Sequence, residues 1–94
     1  MAESLRLDKF LWFARIVKTR SQAQTLAEEG RLRIDGRVAD RAHAPVRVGD
    51  VLSFALRGKV RVLRIEALPG RRGPPAEARS LYCELPEAGA DGTP

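Results

Sequence analysis

Thiols and soft metal ligands are scarce in this 94-residue chain, which has one cysteine, Cys83, and one histidine, His43. A lone cysteine excludes an internal disulfide framework and suits a reducing compartment. The two residues together are too few for a zinc finger, so no metal site is expected. Long apolar runs are missing as well. Charges at Glu3, Arg6, Asp8 and Lys9 interrupt the N-terminus, so no secretion signal is expected, and the run from Phe10 to Ala14 is far too short to span a bilayer. The expected setting is soluble and cytoplasmic, with no membrane partner. A Gly-rich phosphate loop, carboxylates paired for acid–base work, and a cysteine–histidine couple with an orienting third group are also absent. His43, among alanines, reads as a surface loop residue, and Cys83, within an apolar strand pattern, reads as buried filler. No catalytic residue and no cofactor is expected.

What is present is enough for one small folded domain. Hydrophobic residues make up 44% of the chain, and wholesale disorder is not expected. Seventeen basic residues stand against twelve acidic ones, a formal net charge of +5 with pI near 10.3. Residues 1–72 carry about +8 and residues 73–94 carry −3. Arginine supplies fourteen of the cations, and its planar fork suits bidentate phosphate binding. The balance points to nucleic acid as partner.

Along the chain, Leu7, Phe10, Leu11, Ala14 and Val17 follow helical spacing, with Asp8 in the first turn where the dipole favours a carboxylate. Trp12, Phe13 and Ile16 fall on the other side, so this helix is covered twice or leaves an aromatic exposed. Lys18-Thr19-Arg20 breaks the pattern. Ser21 followed by Gln24 reads as the capping box of a second short helix, with Ala23, Leu26 and Ala27 inward and Gly30 as its stop. Arg31 to Ile34 alternates as a strand, and Asp35-Gly36 is a strong two-residue hairpin signal returning through Arg37-Val38. Residues 39–45 read as loop. Val51 to Leu56 reads as a strand that Arg57-Gly58-Lys59 turns back into a partner from Val60 to about Leu68, with a bulge at Val62-Leu63. Residues 69–75 read as a flexible basic loop, and Leu81 to Leu85 as a short edge strand ended by Pro86. Residues 87–94 have no core-forming pattern and are expected to be disordered.

The cations of the first half fall where folding does not require them. Lys18 and Arg20 flank the N-terminus of the second helix, where free N–H groups and the dipole favour an anion. Thr19, Ser21 and Gln22 add neutral donors for phosphate or ribose. Arg31 and Arg33 share the outward face of the next strand, Arg37 continues past the turn, and Arg6 and Lys9 can join from the first helix. Asp8 and Asp35 are expected to orient these cations. The second helix is short and ends in Glu28-Glu29, which would repel phosphates in a DNA groove. Shape-directed contact with structured RNA therefore fits better.

The same residues resemble the S4 RNA-binding domain. Arg6-Leu7-Asp8-Lys9, Thr19-Arg20-Ser21-Gln22-Ala23 and Gly30 through Gly36 occur in that domain's order and spacing over about thirty residues. Leu11-Trp12, Ala14-Arg15, Lys18-Thr19-Arg20 and the later block from Arg72 through Ala76-Glu77-Ala78 to Leu81-Tyr82 are similar to the bacterial heat-shock protein fifteen family. The resemblance covers about residues 5–85. It implies an RNA-binding face made of two helices and the following hairpin. It also implies association with free large ribosomal subunits that hold a nascent chain on transfer RNA, and a part in their recycling after heat stress. Longer members continue into a strongly basic C-terminal helix, whereas this sequence runs into Glu87-Ala88-Gly89-Ala90-Asp91-Gly92. Contacts carried by that extension are expected to be missing.

The expected fold class is α+β, with two N-terminal helices packed on a small, mostly antiparallel sheet, the S4-like alpha-L RNA-binding motif. Residues 1–68 are expected to form the RNA-binding domain and 69–86 to complete it. The expected partners are ribosomal RNA of the large subunit and peptidyl-tRNA, bound by a monomer. A DNA-binding regulator and an RNA-binding accessory to an RNA-modifying enzyme stand as alternatives.

Overall fold

The computed structural model describes residues 3–86, so the tail expected to be disordered, 87–94, lies outside them. Strand β1 (Leu5–Arg6) leads into helices α1 (Leu7–Phe13) and α2 (Arg20–Glu28). They are followed by β2 (Arg33–Ile34), β3 (Arg37–Val38), β4 (Pro45–Val46), β5 (Val51–Leu56), β6 (Lys59–Ile65), α3 (Pro75–Arg79) and β7 (Tyr82–Leu85). Five strands form one antiparallel sheet in the order β3-β2-β5-β6-β7, and β1 pairs with β4 as a separate ribbon. The α+β class is as expected.

A helix start leaves its first N–H groups without partners inside the helix. Those of α1 are met by the loop that ends in β4. Leu7 N–H donates to the Ala44 carbonyl (2.8 Å) and Asp8 N–H to that of Ala42 (3.0 Å). The β1–β4 ribbon and the start of α1 therefore form one joint.

Apolar spacing predicts a helix reaching Val17, yet α1 stops at Phe13. Ile16 N–H returns to the Leu11 carbonyl (3.0 Å) and Arg15 N–H to that of Trp12 (3.1 Å). This is a Schellman closure with Arg15 at φ +59°. Left-handed backbone costs a non-glycine residue about 1–2 kcal/mol. Burial of Ile16 and Val17, 6% and 4% exposed, offsets it. Trp12 and Phe13 stay half-buried.

The cap of α2 is not Ser21. Thr19 Oγ1 accepts from Gln22 N–H (3.1 Å), and Gln22 Oε1 accepts from the N–H groups of Thr19 (3.2 Å) and Lys18 (3.1 Å). Both Thr19 and Ser21 precede a glutamine by three residues, so the pattern in sequence is degenerate. The earlier box prevails because one glutamine satisfies two backbone donors and Arg20 gains a helical position. Thr19→Ala should lower stability by about 1 kcal/mol, while Ser21→Ala should leave the melting temperature nearly unchanged. Equal losses in thermal melts would return the cap to Ser21.

In the main sheet, Asp35-Gly36 makes the expected two-residue turn, with φ of +52° and +86°, and Ile34 pairs with Arg37. The β5–β6 register is continuous from Val51↔Arg64 to Leu56↔Lys59, so there is no bulge at Val62-Leu63. Leu63 and Ile65 face the core beside Leu52 and Phe54. The next position on that face is Arg61, whose guanidinium lies 5.9 Å from the Phe54 ring centroid. An arginine stem takes an inward place at the sheet end, which makes the alternation look broken in sequence.

The segment expected to be a flexible loop is tied to α1. Arg72 Nε donates to the Trp12 carbonyl (3.1 Å) with its guanidinium 5.7 Å from the indole centroid, and Arg15 Nε donates to the Gly73 carbonyl (2.6 Å). Pro75 at the first turn then begins α3, a helix of five residues that the loop reading omits. Strand β7 lies on the sheet edge as expected, but Cys83 is exposed there rather than buried. It shares the uncovered face with its partner Arg64.

Candidate nucleic-acid interface

Asp8 is the one charged side chain in the core of the described residues, with no exposed surface. Its carboxylate accepts both Arg6 Nε and Arg6 Nη2 at 3.0 Å and Lys9 N–H at 2.8 Å, and Arg20 Nε lies 4.0 Å away. The start of α1 and the first turn of α2 thus share one anionic pivot. Arg6 and Arg20 keep 43% and 44% of their side chains exposed, so each still presents donors to solvent. Lys18, Ser21 and Gln22 are exposed around the same helix start. Thr19 is committed to the cap.

Among the described residues Asp35 pairs with no cation. Its Oδ1 accepts from Val51 N–H (2.8 Å), stitching the hairpin turn to β5. Arg37 does not continue the face of Arg33. Antiparallel partners share a face, and the pairs are Ile34↔Arg37 and Arg33↔Val38, so the two arginines point oppositely. Arg33 bends back to the Gly36 carbonyl (3.4 Å). Arg37 instead lines a concavity of about 730 Å³ with Arg41, His43 and Arg47, residues that sequence reading left out. At its margin Asp50 accepts from Arg47 N–H (2.9 Å). Burial pushes the Asp50 carboxyl up, the Arg47 N–H works against that shift, and the neighbouring Asp35 adds to it.

Arg31 is exposed on a second concavity, between α2 and the β5–β6 turn, which it shares with Ser21, Gln22 and Arg57. Arg57 was also missed, since a turn cation carries no sequence signal of its own.

Counted along the sequence, residues 42–72 carry seven basic and two acidic residues, net +5, against nine and six, net +3, in residues 1–41. Pairing neutralises three of those seven. Arg61 makes a two-pronged pair with Glu84 (2.7 and 3.2 Å), and this partner holds its guanidinium pKa above the ordinary value against the opposing effect of burial. Arg64 pairs with Glu66 (2.9 Å) and Arg71 with Glu77 (3.3 Å). By contrast, Lys9, Lys18, Arg31, Arg37 and Arg57 have no ion pair among the described residues. These five lie on α1, at the start of α2, around the first hairpin and in the β5–β6 turn. Arg15, Arg33, Arg47, Lys59, Arg72 and Arg79 also lack an ion pair among the described residues. Exposed pairs of this kind are worth about 0–1 kcal/mol each, so the difference concerns surface potential rather than stability.

Residues 5–52 match the S4 domain family. The chain is 33% identical over 91 residues to the RQC P-site tRNA stabilizing factor of Listeria innocua, covering 97% of each protein. It is 38% identical over 85 residues to the Heat shock protein 15 homolog of Haemophilus influenzae, covering 89% of this chain and 64% of that protein. Among solved structures, the trimeric Heat Shock Protein 15 of Vibrio cholerae superimposes with a TM-score of 0.84 at 31% identity, over 95% of this chain and 89% of that one.

Proposed function

The chain belongs to the S4 domain family, and we propose that it binds structured RNA without catalysing a reaction on it. The observation that carries this reading is the buried Asp8 pivot, which sets Arg6 and Arg20 at a capped helix start among unpaired cations. Arg6, Lys9, Lys18, Arg20, Arg31 and Arg33 contact phosphates, and Ser21 and Gln22 contact backbone or ribose. Arg37 makes a separate contact from its own concavity. Residues 1–68 carry the binding and 69–86 complete the domain.

The RNA is ribosomal, on a free large subunit that holds a stalled nascent chain, and binding aids recycling of that subunit after heat stress. The relatives named Heat shock protein 15 support the heat-stress part of this assignment. The Listeria innocua relative, matched over 97% of its length, favours a second reading in which P-site tRNA is part of the contact. The setting is cytoplasmic. Among the described residues no helix is long and apolar enough to cross a membrane. The binding unit is the monomer, whereas the Vibrio cholerae protein is a trimer.

Gradient sedimentation with cell extract tests the ribosomal assignment. The protein should travel with free large subunits, and recovery only at the top of the gradient at low salt would overturn it. Salt titration tests the contacts. Log affinity should fall with log salt by about 0.7–0.9 per phosphate contact. Arg20→Ala should remove about one such increment and weaken binding about tenfold. An unchanged slope and affinity would remove Arg20 from the site.

A further inference from the structure

The concavity between α2 and the β5–β6 turn sets aliphatic side chains beside cations. It encloses about 430 Å³, within the range of small-ligand clefts. Its aliphatic lining includes Val17 and Leu26, both buried, and Leu56, half-buried. Its rim carries two guanidinium groups, Arg31 and Arg57, neither with an ion-pair partner among the described residues.

The backbone adds an independent sign. Arg57 stands at φ +54° in a two-residue hairpin turn, followed by Gly58 at +78°. Asn, Asp or Gly fill the first position of such turns with less strain. An arginine there places a cation on the rim at the expense of local backbone energy, and strain of this kind clusters at binding sites.

Aliphatic side chains lining one groove with two guanidinium groups that lack ion-pair partners among the described residues suit a heterocyclic base and its flanking phosphates. Ser21 and Thr25 on the wall offer hydroxyls, and Gln22 keeps its NH2 free because Oε1 serves the cap. Glu29 on the rim can accept from a base amino group. We infer that this groove receives one unpaired nucleotide of the bound RNA, its base on Leu26 and Leu56 and its flanking phosphates on Arg31 and Arg57. The inference rests on the RNA-binding reading and names the feature of the RNA that the reading leaves open. A bulge or loop supplies such a nucleotide at little expense, whereas a continuous A-form duplex keeps its bases stacked. Ser21 and Gln22 belong both to the groove and to the helix start, so an RNA strand can engage the two without a break. That continuity favours a nucleotide over a peptide side chain.

The test compares a hairpin RNA carrying one bulged 2-aminopurine with its fully paired counterpart, both titrated with the full chain. The bulged hairpin should bind about tenfold tighter, the gain of one charge-assisted contact with a seated base, and its 2-aminopurine emission should change. Arg57→Gly removes the rim cation and relaxes the positive φ. It should keep its melting temperature while the preference falls towards unity. Equal affinity of the wild-type chain for the two hairpins, or a full preference retained by Arg57→Gly, overturns the groove assignment while RNA binding stands. Failure to bind either hairpin at low salt overturns the RNA reading itself.

Discussion

Asp8→Asn should weaken RNA binding and lower thermal stability together, although it makes the chain more positive by one charge. The carboxylate is fully buried and holds Arg6 through two donors at 3.0 Å, the Lys9 N–H at 2.8 Å, and Arg20 at 4.0 Å. An amide of the same shape turns one acceptor oxygen into a donor facing a guanidinium. Breaking a buried pair from one side costs about 3–5 kcal/mol. Arg6 and Arg20 keep 43% and 44% exposure and can be rehydrated, which reduces the expected loss to about 1–3 kcal/mol. The melting temperature should fall by roughly 5–20 °C. Two models of the surface diverge on affinity. If only net charge counted, the variant would bind RNA more tightly. If Asp8 sets where Arg6 and Arg20 stand, binding should weaken about tenfold, because the donors must be ordered anew on each encounter. Fluorescence anisotropy well below the melting temperature separates the two, and tighter binding would sink the pivot.

The largest stability effect is expected from Phe10→Ala. Phe10 is fully buried in the cluster that joins α1 to the sheet. Truncation removes its transfer energy and leaves a void, a loss of about 3–5 kcal/mol. A domain of this size has about 5–12 kcal/mol in total, so the variant should melt far below the parent and bind RNA only at low temperature. Phe13 on the same helix is half-buried, its ring 5.6 Å from that of Trp12. Phe13→Ala should lose about 1–2 kcal/mol. Urea unfolding of both variants measures the difference, and similar midpoints would contradict the assignment of the core to the Phe10 face.

Local chemistry was legible wherever one residue type has few alternatives. Asp35-Gly36 could hardly be anything but a two-residue turn, and Val51–Leu56 and the stripe Ala23, Leu26, Ala27 lie where their periods predict. Illegible were the features set by partners distant in sequence. Arginine is no signal for a left-handed helix stop, yet Arg15 makes one because Ile16 and Val17 have a core to enter. Two overlapping capping boxes cannot be ranked until the donors of Lys18 and Thr19 are counted. The basic loop could not be known to be tied until Arg72 met the Trp12 carbonyl, sixty positions away.

The stretch from Arg6 to Val38 was marked by sequence alone as cationic beyond the needs of folding, and its order of blocks pointed to the S4 domain. The charge excess and the tight turn were legible because both act over a few residues, whereas the S4 domain entered as a resemblance of residue blocks. Which cations remain free was decided by tertiary structure. Sheet pairing gave Arg61 a carboxylate partner, and packing brought Arg31 and Arg57 to the lining of one groove. The fold also turned Asp8 from a first-turn residue into a buried pivot between two helices. An ion pair or a groove between residues far apart in the chain exists only once their elements are packed, so no count along the sequence could have found it.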